Sequence, residues 1–255
     1  MKCAAILAGL LLACGAQAAP YLTVPAGRFA SVLPQDASPA SSGDVDVAAF
    51  RMRETPVSVA EFVTFLRANP QWQKGRVAGV FADARYLVTW TGPLEPSAAV
   101  LQDSPVVDVS WFAAKAFCEA EGARLPTWIE WEYAAAADAS VRDARRDPEW
   151  QRRVLSWYER PASVALPAVG AVPNVYGVRD LHGLVWEWVD DFNALFIAGD
   201  SRTQGDPDLL KFCGSGALNI VDRDSYAVVM RIALLSSLNA ADGTGTLGFR
   251  CAQSL

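Results

Sequence analysis

Apolar positions recur at intervals of three and four along several stretches of the chain, and each such stretch opens on a side chain able to cap a helix. Ser58 and Glu61 form a capping box ahead of Phe62, Phe65 and Leu66, and Asn69-Pro70 ends that helix. Ser110 caps a second helix that Gly122 stops. Thr127 and Glu130 make another capping box, for a helix running through about Ala137. Asp147-Pro148 supplies a cap and a first-turn proline to a helix carrying Trp150, Val154 and Trp157. Residues 21–29 predict a short strand around Pro25-Ala26-Gly27, and residues 47–52 alternate as another. Residues 31–46, rich in Ser, Pro, Ala and Asp, predict a loop. Arg124-Leu125-Pro126 reads as extended and residues 161–173 as loop, and from there to Cys251 the pattern predicts short strands and irregular chain. Neither an internal repeat nor a domain-separating linker is visible, so a single domain is expected.

The first residues follow a different pattern. Lys2 precedes an apolar run at residues 6–13, well short of the roughly 20 residues that span a bilayer. Ala16-Gln17-Ala18 then supplies the small-x-small pattern read by a signal peptidase. A signal peptide over residues 1–18 and a domain over residues 19–255 are therefore expected, with a soluble periplasmic or secreted product. The alternative is a lipoprotein, because Leu11-Leu12-Ala13-Cys14 resembles a lipobox that would anchor the chain through Cys14. No other segment predicts a transmembrane helix.

Composition narrows the partners. Hydrophobic residues make up 52% of the chain and charged residues 20%, as in a globular protein. The net charge of -6 excludes the basic surface that nucleic acid or anionic lipid requires, leaving small molecules, metal ions or other proteins. Beyond the leader, Cys118, Cys213 and Cys251 remain, an odd set in which one thiol must be left over from any disulfide.

Four segments in order carry a family resemblance. Ser104-Pro105-Val106-Val107-Asp108-Val109-Ser110-Trp111 leads into the Cys118 helix, and Arg124-Leu125-Pro126-Thr127 continues through Glu130-Trp131-Glu132-Tyr133. Tyr176-Gly177 leads to Asp180, Gly183 and Trp186-Glu187-Trp188, and the chain closes with Gly248-Phe249-Arg250-Cys251. Together these resemble the formylglycine-generating-enzyme (sulfatase-modifying factor) family across nearly all of residues 21–253. The resemblance implies an α+β, C-type-lectin-like single domain with little regular secondary structure. It also implies a Cys118–Cys251 disulfide. A further bridge of some members falls near Ala135 and Ile232, where both cysteines are absent.

The same resemblance assigns the candidate chemistry. The family's oxidases hold copper(I) between two cysteines, and those positions fall near Asp222 and Ala227. No cysteine occurs between Asn219 and Met230, so the known copper route to formylglycine is not expected. Cys213, in Phe212-Cys213-Gly214-Ser215, reads either as a reactive or metal-binding thiol or as a small buried residue in a tight turn. His182, the only histidine, would become a copper ligand or acid/base partner if it faced Cys213, and is otherwise structural. Trp186 matches an active-site-facing tryptophan, and Ser215 approximates the neighbouring serine. Asp180, Gly183, Val185 and Glu187 match a calcium-binding stretch, with carboxylates from Asp180 and Glu187 and carbonyls from the other two. The alternative is that Glu187 pairs with an arginine. Trp131 and Trp188 read as core, and Asp190-Asp191 and Arg145-Arg146 as solvated surface.

Residues 180–188 and 212–214 look most like exported family members encoded beside copper nitrite reductases. The expected function is accordingly an exported accessory or maturation factor whose partner is another exported protein, with a copper enzyme as one class. Two alternatives are an oxidoreductase of the same fold with different chemistry, as in a siderophore-maturation branch lacking the copper cysteines, and a formylglycine-generating oxidase of sulfatases.

Overall fold

Helices begin where side chains cap them. In the computed structural model, which describes residues 19–31, 44–159, 165–193 and 226–255, helix α1 spans Val59–Ala68 behind its capping box. The Ser58 hydroxyl accepts from the Glu61 amide at 3.4 Å, and the Glu61 carboxylate accepts from the Ser58 amide at 2.8 Å. Asn69 is the C-cap, and Pro70–Trp72 continues as a single 3-10 turn. Helix α2, Trp111–Ala120, starts on Ser110, and Gly122 just past its end adopts a φ of 67° that a side chain would resist. Helix α3, Trp128–Ala135, uses the Thr127–Glu130 box, and α4, Pro148–Tyr158, uses Asp147 followed by proline.

Strands are short and mostly antiparallel. A central sheet sets β4 (Phe50–Arg53) between β1 (Tyr21–Val24) and β7 (Ala252–Ser254), with Tyr21 opposite Arg53 and Met52 opposite Ala252. Strands β2 (Gly27–Ala30) and β3 (Asp44–Val47) form a separate antiparallel pair. Strands β5 (Trp186–Glu187) and β6 (Leu247–Gly248) pair in parallel, with Glu187 opposite Gly248. The result is an α+β arrangement with long irregular connections between few regular elements.

The closing segment Gly248-Phe249-Arg250-Cys251 ties the fold together residue by residue. A Cβ at Gly248 would lie 2.7 Å from the Val106 carbonyl, so the backbones approach there only without a side chain. Phe249 is fully buried against Phe62 and Phe117, at ring distances of 6.2 and 5.4 Å, while its carbonyl accepts from the Val57 amide. Arg250 points into the interior with its side chain 0% exposed. Cys251 is bonded to Cys118 of α2, 133 residues away, as the resemblance implied.

Several expectations are corrected. The stretch read as short strands and irregular chain contains helix α5, Tyr226–Ser236. Apolar residues occupy nearly every position of Tyr226–Ser236, so the polar face that marks a surface helix is missing. Once helical, Val228, Arg231, Ile232 and Leu235 fall on one buried side. Residues 21–29 break into two strands at Pro25-Ala26 because proline cannot supply a ladder amide. The expected loop ends early, with β3 occupying Asp44–Val47, and residues 47–52 split between β3 and β4.

The charged pairs also differ from solvated surface. Arg145 bonds Asp143, lies 3.7 Å from Glu132 and stacks 4.3 Å over the Phe29 ring, whereas Arg146 is exposed. Asp190 pairs with Lys115 at 3.0 Å. Asp191 accepts from the Trp128 amide at 2.7 Å, opposite the positive end of α3. Trp131 and Trp188 are core, 3% and 0% exposed.

Replacing Cys118 or Cys251 by alanine is expected to lower unfolding free energy by about 2–5 kcal/mol, because an unfolded chain freed of so long a loop gains entropy. Urea titration with and without reductant checks this. Reductant is expected to destabilise the parent protein and leave both variants unchanged.

Candidate functional site

The Trp186-Glu187-Trp188 segment is held by backbone bonds on both sides. The Trp186 amide donates to the Thr246 carbonyl at 2.8 Å and the Trp188 amide to the Gly248 carbonyl at 3.0 Å. The exposures differ along the segment: Glu187 and Trp188 are 0% exposed, whereas Trp186 is half-buried. Trp188 donates its indole N–H to the Val109 carbonyl at 3.0 Å. Trp186 meets Trp157 of α4 with ring centroids 4.9 Å apart. Trp157 is thus part of the candidate site, although the sequence marked it only as a helix position.

Glu187 sits at the centre of a buried charge network. Arg250 donates through Nε to Oε2 at 2.8 Å and through Nη2 to Oε1 at 2.7 Å, and the Trp131 indole donates to Oε2 at 2.7 Å. The remaining guanidinium N–H groups reach the carbonyls of Arg53, Glu54 and Arg179. Arg231 of α5 brings a second cation, donating to the Glu187 carbonyl at 2.6 Å with its guanidinium 3.5 Å over the Trp131 ring. Sequence reasoning missed Arg231 as a structural residue. Its signal was a lone charge inside the apolar run at residues 226–236.

The four residues expected to bind calcium do not fit that ion in this arrangement. Glu187 is engaged by Arg250 and Trp131, so a dication beside it would face one guanidinium directly and a second close by. The Asp180 carboxylate is satisfied separately, by the Gly170 amide at 2.6 Å and the Ala171 amide at 3.0 Å. Asp180 itself adopts a φ of 62° and Gly183 a φ of 101°, turning the chain between these partners. Val185 is buried at 1% exposure. Calcium prefers six to eight oxygens, and the two carboxylates offered for it already have separate protein partners. The alternative reading, that Glu187 pairs with an arginine, describes the observed geometry.

His182 is half-buried between two aromatic rings. Trp131 and Trp150 make T-shaped contacts with it at centroid distances of 5.4 and 5.3 Å, and its Nε2 lies 3.1 Å from the Ala135 carbonyl. A carbonyl only accepts, so Nε2 carries the proton. Burial pushes the imidazole pKa down to about 3, the nearby Arg231 cation adds to the shift, and the Ala135 bond opposes it. A neutral ring with Nε2 committed to the backbone serves as a structural wedge. Cys213 and Ser215 lie outside the described residues, as do Asp222 and the leader with Cys14. Ala227, near which the resemblance puts the second copper cysteine, is buried in α5 in an apolar cluster with Ala144, Trp150 and Val154.

Because the folded pKa of His182 lies below the ordinary 6.5, its neutral form stabilises the fold above that value, and the contribution is lost as pH falls towards 3. The single histidine is expected to show no ring titration in proton NMR between about pH 8 and 5. His182→Gln is expected to flatten the acid limb of stability against pH. Titration near the ordinary value would place the ring in water.

Known proteins resemble this chain over most of its length. The model of the sulfatase-modifying factor enzyme 1-like domain matches residues 13–255. The formylglycine-generating enzyme of Streptomyces coelicolor is 35% identical over 167 residues, covering 58% of this chain and 52% of that protein. The hercynine oxygenase of Mycolicibacterium smegmatis is 34% identical over 166 residues, covering 56% of this chain and 37% of that protein. The matches thus span about half or less of these relatives' own length. The solved structure of PvdO from Pseudomonas aeruginosa shares the fold, with a TM-score of 0.50 at 21% identity, covering 92% of this chain and 94% of that one. On the extent of the family match and the shared fold, the chain belongs to the sulfatase-modifying factor enzyme 1-like, or formylglycine-generating-enzyme, family.

Proposed function

We propose that this protein is an exported accessory or maturation factor, which has kept the family scaffold without the copper-dependent oxidase chemistry of formylglycine formation. One observation carries the reading. Ala227, near which the second copper cysteine would fall, is 8% exposed among apolar side chains, and no cysteine lies between Asn219 and Met230. Cys118 and Cys251 are consumed by the disulfide, so residues 19–255 retain Cys213 alone as a thiol. A defined copper(I) site of the family type needs two thiolates, and one cannot supply it. His182 gives that thiol little help, being neutral and bonded to a backbone carbonyl. The likeness of residues 180–188 and 212–214 to members encoded beside copper nitrite reductases favours an exported copper enzyme as client.

The purified exported protein is expected to leave a cysteine-bearing sulfatase peptide unconverted when the products are read by mass spectrometry. In a deletion strain, both the parent gene and Cys213→Ser are expected to restore the client enzyme. Aldehyde formation abolished by Cys213→Ser would overturn the reading in favour of oxidase chemistry. Failure of a folded Cys213→Ser variant to complement would instead favour an oxidoreductase of different chemistry.

A further inference from the structure

Strand β1 delivers the start of the described chain to an unusual charge cluster. Tyr21 pairs with Arg53 across the sheet, and the Pro20 carbonyl accepts from the Glu54 amide at 2.9 Å, so the chain just after Ala19 is anchored along β4. Its backbone nitrogen donates to Glu61 Oε1 at 3.1 Å. The same carboxylate pairs with Arg53 Nη2 and, through Oε2, accepts from the Ser58 amide and hydroxyl at 2.8 Å each. Arg53 Nη1 also meets both oxygens of Glu121, at 2.6 and 2.7 Å, and the Tyr21 hydroxyl donates to Glu121 at 2.7 Å.

Charge in this cluster does not balance. One guanidinium, 0% exposed, serves two carboxylates that are only 10% and 22% exposed. The nearby Glu54 and Arg179 neutralise each other, so that pair supplies no free cation. A small cavity of about 240 Å³ opens beside Ala19, and Thr55, Gln102 and Asp103 share its lining with Glu61. Asp103 adds another acidic residue there. A second positive charge near Ala19 would cancel the excess.

We propose that the chain is cut at the Ala18–Ala19 bond and that the new ammonium group of Ala19 docks on Glu61 as a built-in counter-ion. The step is a hydrolysis carried out by a membrane signal peptidase. Water adds to the Ala18 carbonyl carbon, the C–N bond breaks, Ala18 leaves as a carboxylate, and Ala19 keeps the electron pair and takes up protons as an ammonium. The amide hydrogen bond to Glu61 thereby becomes charge-assisted, which shortens and strengthens such contacts. The leader pattern nominates the bond, while the receptor for the product is built from residues of β1, β4, α1 and the C-cap of α2. The proposal rests on the export in that reading and is independent of the accessory role.

Docking has a measurable signature. Glu61 meets the amine directly, Arg53 and Glu121 follow it in the cluster with Tyr21 bonded to Glu121, Asp103 shares the cavity lining, and the acidic excess favours the protonated form. Its pKa is thereby raised above the ordinary α-amino value of about 8, and the added stability is present below that value and lost as pH rises through the folded pKa. The full chain should be expressed in an exporting bacterial host and the product analysed by intact mass and N-terminal sequencing. A free Ala19 is expected, and a chain beginning at an acylated Cys14 or any other residue overturns the proposal.

Acylation of that amine near pH 7.5 by a limiting reagent is expected to run roughly tenfold slower than in Glu61→Gln, a change of about one pKa unit. Glutamine preserves the capping box, so α1 keeps its start. A second variant with one serine inserted between Ala18 and Ala19 moves the amine off Glu61 and leaves the Arg53 pair intact. It should label as fast as Glu61→Gln. Equal rates in the parent and the insertion variant show an undocked amine and overturn the proposal.

Discussion

The buried pair of Arg250 and Glu187 is the constraint on which the rest of the structure depends. Both side chains are fully removed from water, and isolated charges in that environment would be strongly unfavourable. The two are tolerable only because every direction around them is supplied. Trp131 donates to the carboxylate, and three backbone carbonyls receive the guanidinium. Those carbonyls belong to the end of β4, the residue after it and the loop before β5. The pair therefore fixes the relative positions of segments far apart in sequence, including α3 through Trp131. A polar network of this kind specifies an arrangement as much as it stabilises one.

Around that pair the aromatic residues acquire their roles. Trp131 bonds Glu187 through its indole N–H, bears the Arg231 cation on its face and meets His182 in a T-shaped contact. Arg231 links α5 to the Glu187 backbone, so that helix is joined to the same network. A further cation at Glu187 would meet both guanidinium groups. The disulfide adjoins this centre, since Cys251 follows Arg250 and its carbonyl accepts from the Arg53 amide. The scaffold is thus closed by a side-chain network and one covalent link.

How much of this was legible in sequence depended on how local the signal was. Capping residues act within one helical turn, so Ser58, Ser110, Thr127 and Asp147 located four helix starts correctly. The Cys118–Cys251 link and the fold class followed from motif resemblance, which carries non-local information that periodicity lacks. Helix α5 was hidden because a helix apolar on most sides resembles any buried run. The candidate site was legible only in outline. Glu187 and Asp180 have oxygens suited to calcium, but what a carboxylate contacts is a tertiary fact, and Arg250 lies 63 residues away from Glu187 in sequence. His182 likewise looked available for chemistry until Trp131, Trp150 and the Ala135 carbonyl were placed around it.

The central claim, that Arg250 and not a metal satisfies Glu187, is tested most directly by a double-mutant cycle in urea with chelator present. Glu187→Gln and Arg250→Met are each expected to cost about 3–5 kcal/mol by leaving a buried charge unpaired. The double variant should lose much less than the sum, and added calcium should leave the parent curve unchanged. Additive losses, or a parent protein stabilised by calcium through Glu187, would contradict the account.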